Sequence, residues 1–254
     1  MNNIFDSHAH YNDEQFDIDR DSLLASLPEA GIVGIINCGT DTASSFASLE
    51  MAEKYPFVYA ACGYHPESAL EFYEAGLVDI EKMLSHPKCV AVGEIGLEYH
   101  YDFVPKDVQK YVFEKHLELA VKYNMPVIVH DREAHADTMD LLKKYKPKGV
   151  LHCYSGSTEM AKEVLKLGMY IGLGGAVTFK NAVKPVEVAE MIPLDRLLLE
   201  TDCPYMAPVP MRGKRNNSEY ISYIAEKIAM IREIEPDDLL SITAENTKRL
   251  FGIK

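Results

Sequence analysis

The chain has 254 residues, is 47% hydrophobic and carries a formal net charge of −13. That charge disfavours a protein that coats nucleic acid through a broad basic face, and no run of about 18 apolar residues offers a membrane span. The five cysteines are scattered with no C-x-x-C pair, which fits a reducing compartment and not a disulfide framework. No basic segment leads into an apolar one near the N-terminus, so a cytoplasmic protein without a secretory signal is expected.

Short β-branched runs alternate with amphipathic segments, with no linker or low-complexity stretch between them. The expected strands are Ile4–His8, Ile32–Asn37, Phe57–Cys62, Val90–Glu94, Val127–His130, Val150–His152, Met169–Gly172 and Leu197–Glu200. Several, such as Val127-Ile128-Val129 and Leu197-Leu198-Leu199, are apolar throughout, as parallel strands covered on both faces are. Between them, Phe113, Leu117, Ala120 and Val121, and then Met160, Val164 and Leu167, recur at helical spacing. Gly31, Gly149 and Gly168 stand where helix C-terminal caps are expected. Two more helical segments occupy Ser218 to Phe251. The first has Ile221, Ile224, Ala225 and Ile228 on one face; the second opens at Pro236-Asp237-Asp238. Eight strand–crossover units in about 250 residues predict a (β/α)₈ barrel, one domain over residues 1–254. A doubly wound open sheet is the alternative, but its glycine-rich fingerprint is missing after the first strand.

In such a barrel the chemistry sits at the C-terminal ends of the strands. His8 and His10 lie two apart, so on an extended strand both point to one side. His65 lies just past the third strand, Glu94 ends the fourth, His130 the fifth, His152 the sixth, and Asp202 follows the eighth. His8, His10, Glu94, His130, His152 and Asp202 are good ligands for divalent metal. That is more protein ligation than one catalytic ion takes while keeping a place for water, so two ions are expected, with Glu94 bridging them. Nitrogen-rich ligation favours Zn²⁺, Mn²⁺, Fe²⁺ or Ni²⁺ over Mg²⁺. A water held by such ions is acidified into a nucleophile.

The blocks Asp6-Ser7-His8-Ala9-His10, Gly63-Tyr64-His65-Pro66, Val92-Gly93-Glu94-Ile95-Gly96-Leu97, Pro126 to Arg132, His152 to Ser157, Leu199 to Tyr205 and Arg212 to Asn216 carry a further message. In order and spacing the chain resembles the TatD family of metal-dependent deoxyribonucleases, within the amidohydrolase-like barrels. The resemblance implies that His8, His10, Glu94 and Asp202 surround one ion and Glu94, His130 and His152 the other. It implies that Asp202 takes a proton from the attacking water, and that His65 touches the scissile phosphate or leaving oxygen. The implied reaction is hydrolysis of DNA phosphodiesters, often from the 3′ end of single strands. After Asn216 the chain continues Asn217-Ser218, where the family often has Glu-Pro.

Each residue also has a plainer reading. His65, before Pro66, is expected to act in the site; a turn cap is the alternative. Arg212, Lys214 and Arg215 form a cationic cluster just after Asp202 and are expected to meet phosphate; a solvated loop is the alternative. Arg132 would reach a phosphate or pair with an acid. The aromatics around His100 would stack on a base, although a packed loop is the expected state. An amidohydrolase cutting a small amide, ester or lactone is the competing activity. Many such enzymes bridge their ions with a carboxylated lysine after the fourth strand, a place held here by Glu94, with Lys88 before the strand. A binding or scaffold barrel would have lost a ligand, and none is lost. DNA ends or short single strands are the expected substrate, and a monomer without obligate partner or membrane contact the expected state.

Overall fold

A computed structural model describes residues 1–254. Eight parallel strands form one sheet in the order β1 to β8, with neighbours in sequence always neighbours in space. They are β1 (Ile4–Ala9), β2 (Ile32–Cys38), β3 (Val58–Cys62), β4 (Cys89–Glu98), β5 (Val127–Arg132), β6 (Gly149–Leu151), β7 (Tyr170–Leu173) and β8 (Leu197–Leu199). The sheet curls into a nearly closed (β/α)₈ barrel, and the expected strands are all present. The edges β1 and β8 meet through a parallel bridge between Ala9 and Cys203, where the His10 N–H donates to the Cys203 carbonyl at 2.8 Å. The Asp202 N–H donates to the His8 carbonyl at 3.0 Å.

The crossovers carry helices α1 (Arg20–Ser26), α2 (Thr42–Lys54), α3 (Glu74–Met83), α4 (Lys106–Tyr123), α5 (His135–Tyr145), α6 (Thr158–Lys166) and α7 (Lys184–Met191). Helices α8 (Ile221–Arg232) and α9 (Pro236–Phe251) follow β8. On α8 the residues Ile221, Ile224, Ala225 and Ile228 are buried, as their spacing predicts. On α4 Phe113, Leu117 and Ala120 are buried, but Val121 is 50% exposed; it lies beyond the packed edge of the helix face.

Phe5, Ile36, Ala61, Ala91, Ile128, Val150, Tyr170 and Leu198, one from each strand, share a cluster with Phe251 of α9. Residues of opposite strands can meet only through the lumen, so these side chains fill it. A larger apolar cluster packs the helices onto the outside of the barrel.

Gly149 is not a helix cap. Helix α5 ends instead at Lys146, in the left-handed region at φ 49°, whose N–H reaches the Leu142 carbonyl. Gly149 opens β6, where a Cβ would lie 2.3 Å from the Val127 carbonyl oxygen. Close backbone approach requires glycine there, not a turn.

His116 is fully buried on α4, with Nδ1 donating to the Val112 carbonyl at 2.8 Å and Nε2 unpartnered. Burial pushes its pKa down from 6.5 to about 4. Between those values the unfolded chain takes up a proton that the native chain does not. The stability is therefore full above about pH 7 and falls as pH drops towards 4, by about 3 kcal/mol in all. His116→Leu should flatten this part of the curve. Denaturant unfolding at pH 7 and pH 5 measures it, and equal pH dependence in variant and parent would overturn it.

Candidate metal centre

Glu94 stands at the centre of the site, 3% exposed and on the fourth of the eight strands. Its two oxygens divide the histidines between them. Oε2 lies 3.3 Å from His8 Nε2 and 3.2 Å from His10 Nε2. Oε1 lies 2.7 Å from His152 Nε2, 3.0 Å from His130 Nδ1 and 3.5 Å from His65 Nε2. Asp202 completes the first side, with Oδ1 3.6 Å from Nε2 of both His8 and His10. The barrel thus gathers all six proposed ligands, from β1, β4, β5 and the segments following β6 and β8, around one carboxylate.

The other nitrogen of each imidazole shows which ring can ligate. His10 Nδ1 donates to the Cys38 carbonyl at 2.9 Å, leaving Nε2 a bare acceptor. His130 Nε2 donates to Glu98 Oε2 at 3.2 Å, leaving Nδ1 bare towards Glu94. His8 Nδ1 lies 3.5 Å from Cys38 Sγ, and His152 Nδ1 lies 3.8 Å from Glu200 Oε1. His65 is wired the opposite way. Its Nδ1 accepts the Glu67 N–H at 3.2 Å, so Nε2 carries the hydrogen that faces Glu94. His65 therefore caps the turn, the plainer of its two readings, and also presents a donor to the mouth.

Ring nitrogens crowd together: His8 Nε2 and His10 Nε2 are 2.9 Å apart, His130 Nδ1 and His152 Nε2 3.3 Å. Lone pairs this close repel unless a cation or proton lies between them. The donor set therefore fits divalent ions. Without them, protons take the place. Burial opposes charge on His10 and His130, but the adjoining carboxylates outweigh it and raise both to about 10. Burial lowers His8 to about 4 and His65 to about 3. Burial also opposes the Glu94 carboxylate, yet the surrounding imidazoles hold its pKa well below the ordinary value. Metal uptake must displace protons here, so affinity falls as pH falls.

Around this centre lies a mouth cavity of about 530 Å³, walled mainly by polar side chains. Its acids include Asp13, Glu67 and Glu98 besides Glu94 and Asp202, and Arg132 is the only Arg or Lys in the wall. Arg132 Nη1 lies 3.7 Å from Glu98 Oε2. Arg212, Lys214 and Arg215 do not line this cavity. Arg215 makes a fork to Asp19 at 2.8 and 2.6 Å and lies over the Phe16 ring. Arg212 donates to the Ala207 carbonyl and lies over the Phe179 ring. Lys214 is exposed.

Two buried acids escaped the sequence reading. Glu98, 2% exposed, lies four residues beyond Glu94, because β4 runs on to pair Glu98 with Arg132 of β5. It accepts from His130 and, at 2.7 Å, from the His100 N–H. Glu200 is fully buried beside His152, in space that Gly172 leaves open; a Cβ there would lie 2.3 Å from Glu200 Oε2. Burial pushes the Glu200 pKa up to about 8. A carboxylate behind a ligating imidazole fixes its tautomer and raises its basicity. Glu98→Ala should therefore weaken metal binding about 10- to 100-fold, read by competition with a chelating dye. Unchanged affinity would remove Glu98 from the site.

The chain was compared with known proteins on this footing. The family model described as TatD related DNase matches residues 5–252. The uncharacterized metal-dependent hydrolase YabD of Bacillus subtilis is 45% identical over 253 residues, covering 98% of this chain and 99% of that protein. The 3′-5′ ssDNA/RNA exonuclease TatD of Erwinia tasmaniensis is 32% identical over 259 residues, covering 98% of this chain and all of that protein (100%). Among solved structures, the TatD homologue YjjV of Escherichia coli K12 superposes with a TM-score of 0.93 at 32% identity, covering 99% of both chains. With matches spanning nearly its whole length, the chain belongs to the TatD related DNase family of metal-dependent hydrolases.

Proposed function

We propose that this hydrolase cleaves phosphodiester bonds of DNA, trimming single strands from the 3′ end, with two divalent ions held on either side of Glu94. The observation that carries the reading is the division of the Glu94 oxygens. Oε2 faces His8 and His10, and Oε1 faces His130 and His152, at 2.7 to 3.3 Å. One carboxylate between two imidazole sets is the arrangement a bridged ion pair needs. His8, His10, Glu94 and Asp202 would hold one ion, and Glu94, His130 and His152 the other. Such ions, when bound, lower the pKa of a water and neutralise charge on a phosphoryl oxygen.

The protein's own groups do the rest. Asp202 accepts the proton of the attacking water. Its carboxyl is 19% exposed to the mouth; burial opposes its charge, but the neighbouring imidazoles keep its pKa below the ordinary value, so it is ionised and able to accept. His65, neutral and with its Nε2–H aimed inwards, donates to the phosphate or leaving oxygen. Arg132 supplies the fixed positive charge of the wall. The relative named as a 3′-5′ ssDNA/RNA exonuclease supports a nucleic acid as substrate. The net charge of −13 repels a long polyanion, so binding is modest and weakens steeply with salt. A small-amide activity is less well supported. Lys88, the lysine nearest in sequence to Glu94, donates to the Val58 carbonyl at 3.1 Å, at the start of β3 and the opposite end of the barrel.

Metal-stripped protein should leave end-labelled single-stranded DNA intact and regain activity with Mn²⁺, Mg²⁺ or Zn²⁺. With a 5′ label the products form a ladder shortening from the 3′ end. Protein that binds two equivalents of metal yet leaves DNA and RNA intact would overturn the proposed substrate.

A further inference from the structure

The segment after β4 reads Tyr99-His100-Tyr101-Asp102-Phe103. Hydrogen bonds pin it on both sides. The His100 N–H donates to Glu98, the His100 ring meets Glu133 Oε1 at 2.8 Å, and the Val104 carbonyl accepts from Gln109 at 3.0 Å. Tyr99 turns inwards and donates to Asp137 Oδ2 at 2.7 Å. Tyr101 and Phe103 turn outwards instead, 39% and 62% exposed. The packed loop expected from the sequence is therefore packed only at Tyr99.

The two exposed rings are ordered relative to each other. They lie within 16° of parallel with centroids 4.9 Å apart. The Arg132 guanidinium lies 5.1 Å from the Tyr101 centroid, and Arg132 lines the mouth. Phe103, Tyr101 and Arg132 thus form a continuous row from solvent to the catalytic cavity. An exposed phenylalanine on a pinned backbone is a rigid flat surface kept in water, and exposed apolar surface beside a site marks binding.

We propose that Tyr101 and Phe103 form a stacking subsite for a nucleobase of the single strand whose phosphate is held at Arg132. This rests on the nuclease reading above. Aromatic faces accept any base without reading its edge, while a guanidinium at the inner end of the row suits a phosphate. Asp102 and Glu133 flank the row and repel phosphate, so the sugar–phosphate chain passes on the Arg132 side and the base turns towards the rings. A peptide partner would have no use for a cation shared with the metal mouth.

The test uses metal-loaded enzyme and short single strands carrying 2-aminopurine at each of the last three positions in turn. Phosphorothioate linkages slow cleavage, and the chain contains no tryptophan to obscure the probe. Binding should quench the probe at one position. Phe103→Ala and Tyr101→Ala should lose the quench and raise KM about 5- to 100-fold, and Phe103→Tyr should restore both. Removing the base at that position should raise the KM of the parent by a similar factor, with little further rise from Phe103→Ala. Parent-like KM and quenching in both alanine variants, while DNA is still hydrolysed, would overturn the subsite and leave the nuclease reading standing. Parent enzyme that binds and cleaves no oligonucleotide would overturn both.

Discussion

Replacing Glu94 with alanine lowers kcat/KM by about a thousandfold or more, equivalent to at least about 4 kcal/mol of transition-state stabilisation, and empties the metal centre. His8 and His152 stack across the two halves, with ring centroids 3.8 Å apart, but Glu94 is the side chain whose two oxygens face both. Its oxygens lie within 3.5 Å of nitrogens on five histidines. Without the carboxylate those imidazoles face one another unshielded, and both of the metal sites proposed above would lose a ligand. Glu94→Gln is the sharper form of the experiment. It keeps the volume and one carbonyl oxygen but removes the charge, so circular dichroism should stay native while metal content falls below two per chain. A glutamine variant that retains both ions and parental activity would sink the bridging role.

Asp202→Asn separates holding a metal from moving a proton. His8, His10 and Glu94 remain, so most metal should stay bound. The amide cannot take a proton from water, and kcat should fall about 10²- to 10⁴-fold with KM little changed. Metal content measured beside kcat makes the distinction. If kcat stays within about tenfold of the parent at full metal load, the proton goes elsewhere.

Much of this arrangement is legible in the chain because strands in a parallel barrel end at one rim. Hydrophobic runs locate the strands, and a polar residue at or just past the end of a run is placed to face the mouth. His130 and His152 are read this way from Val127-Ile128-Val129 and Val150-Leu151. Glu98 is not, because the expected fourth strand ends at Glu94; only the pairing with β5 carries it four residues further. The partner of Arg215 is equally hidden. Arg215 sits in a cationic cluster that invites phosphate, while Asp19, which engages it, lies 196 residues away. For His65 the structure adds the turn cap through Nδ1, while its Nε2 stays turned to the mouth where the sequence reading expects it to act.

The closure of β1 against β8 also bears on how the enzyme is made. His8 and His10 leave the ribosome about 190 residues before Asp202. The Asp6 carboxylate accepts from the Thr201 hydroxyl at 2.6 Å and the Ser218 hydroxyl at 2.7 Å, tying the two ends together just beneath the metal centre. Such long-range contacts form late, because a large loop must close before they reward the chain. A nascent polypeptide therefore exposes isolated His-x-His and carboxylate groups but no assembled metal centre. Hydrolytic competence therefore waits until Asp202 and Ser218 have been added, so translation itself delays the appearance of an active hydrolase.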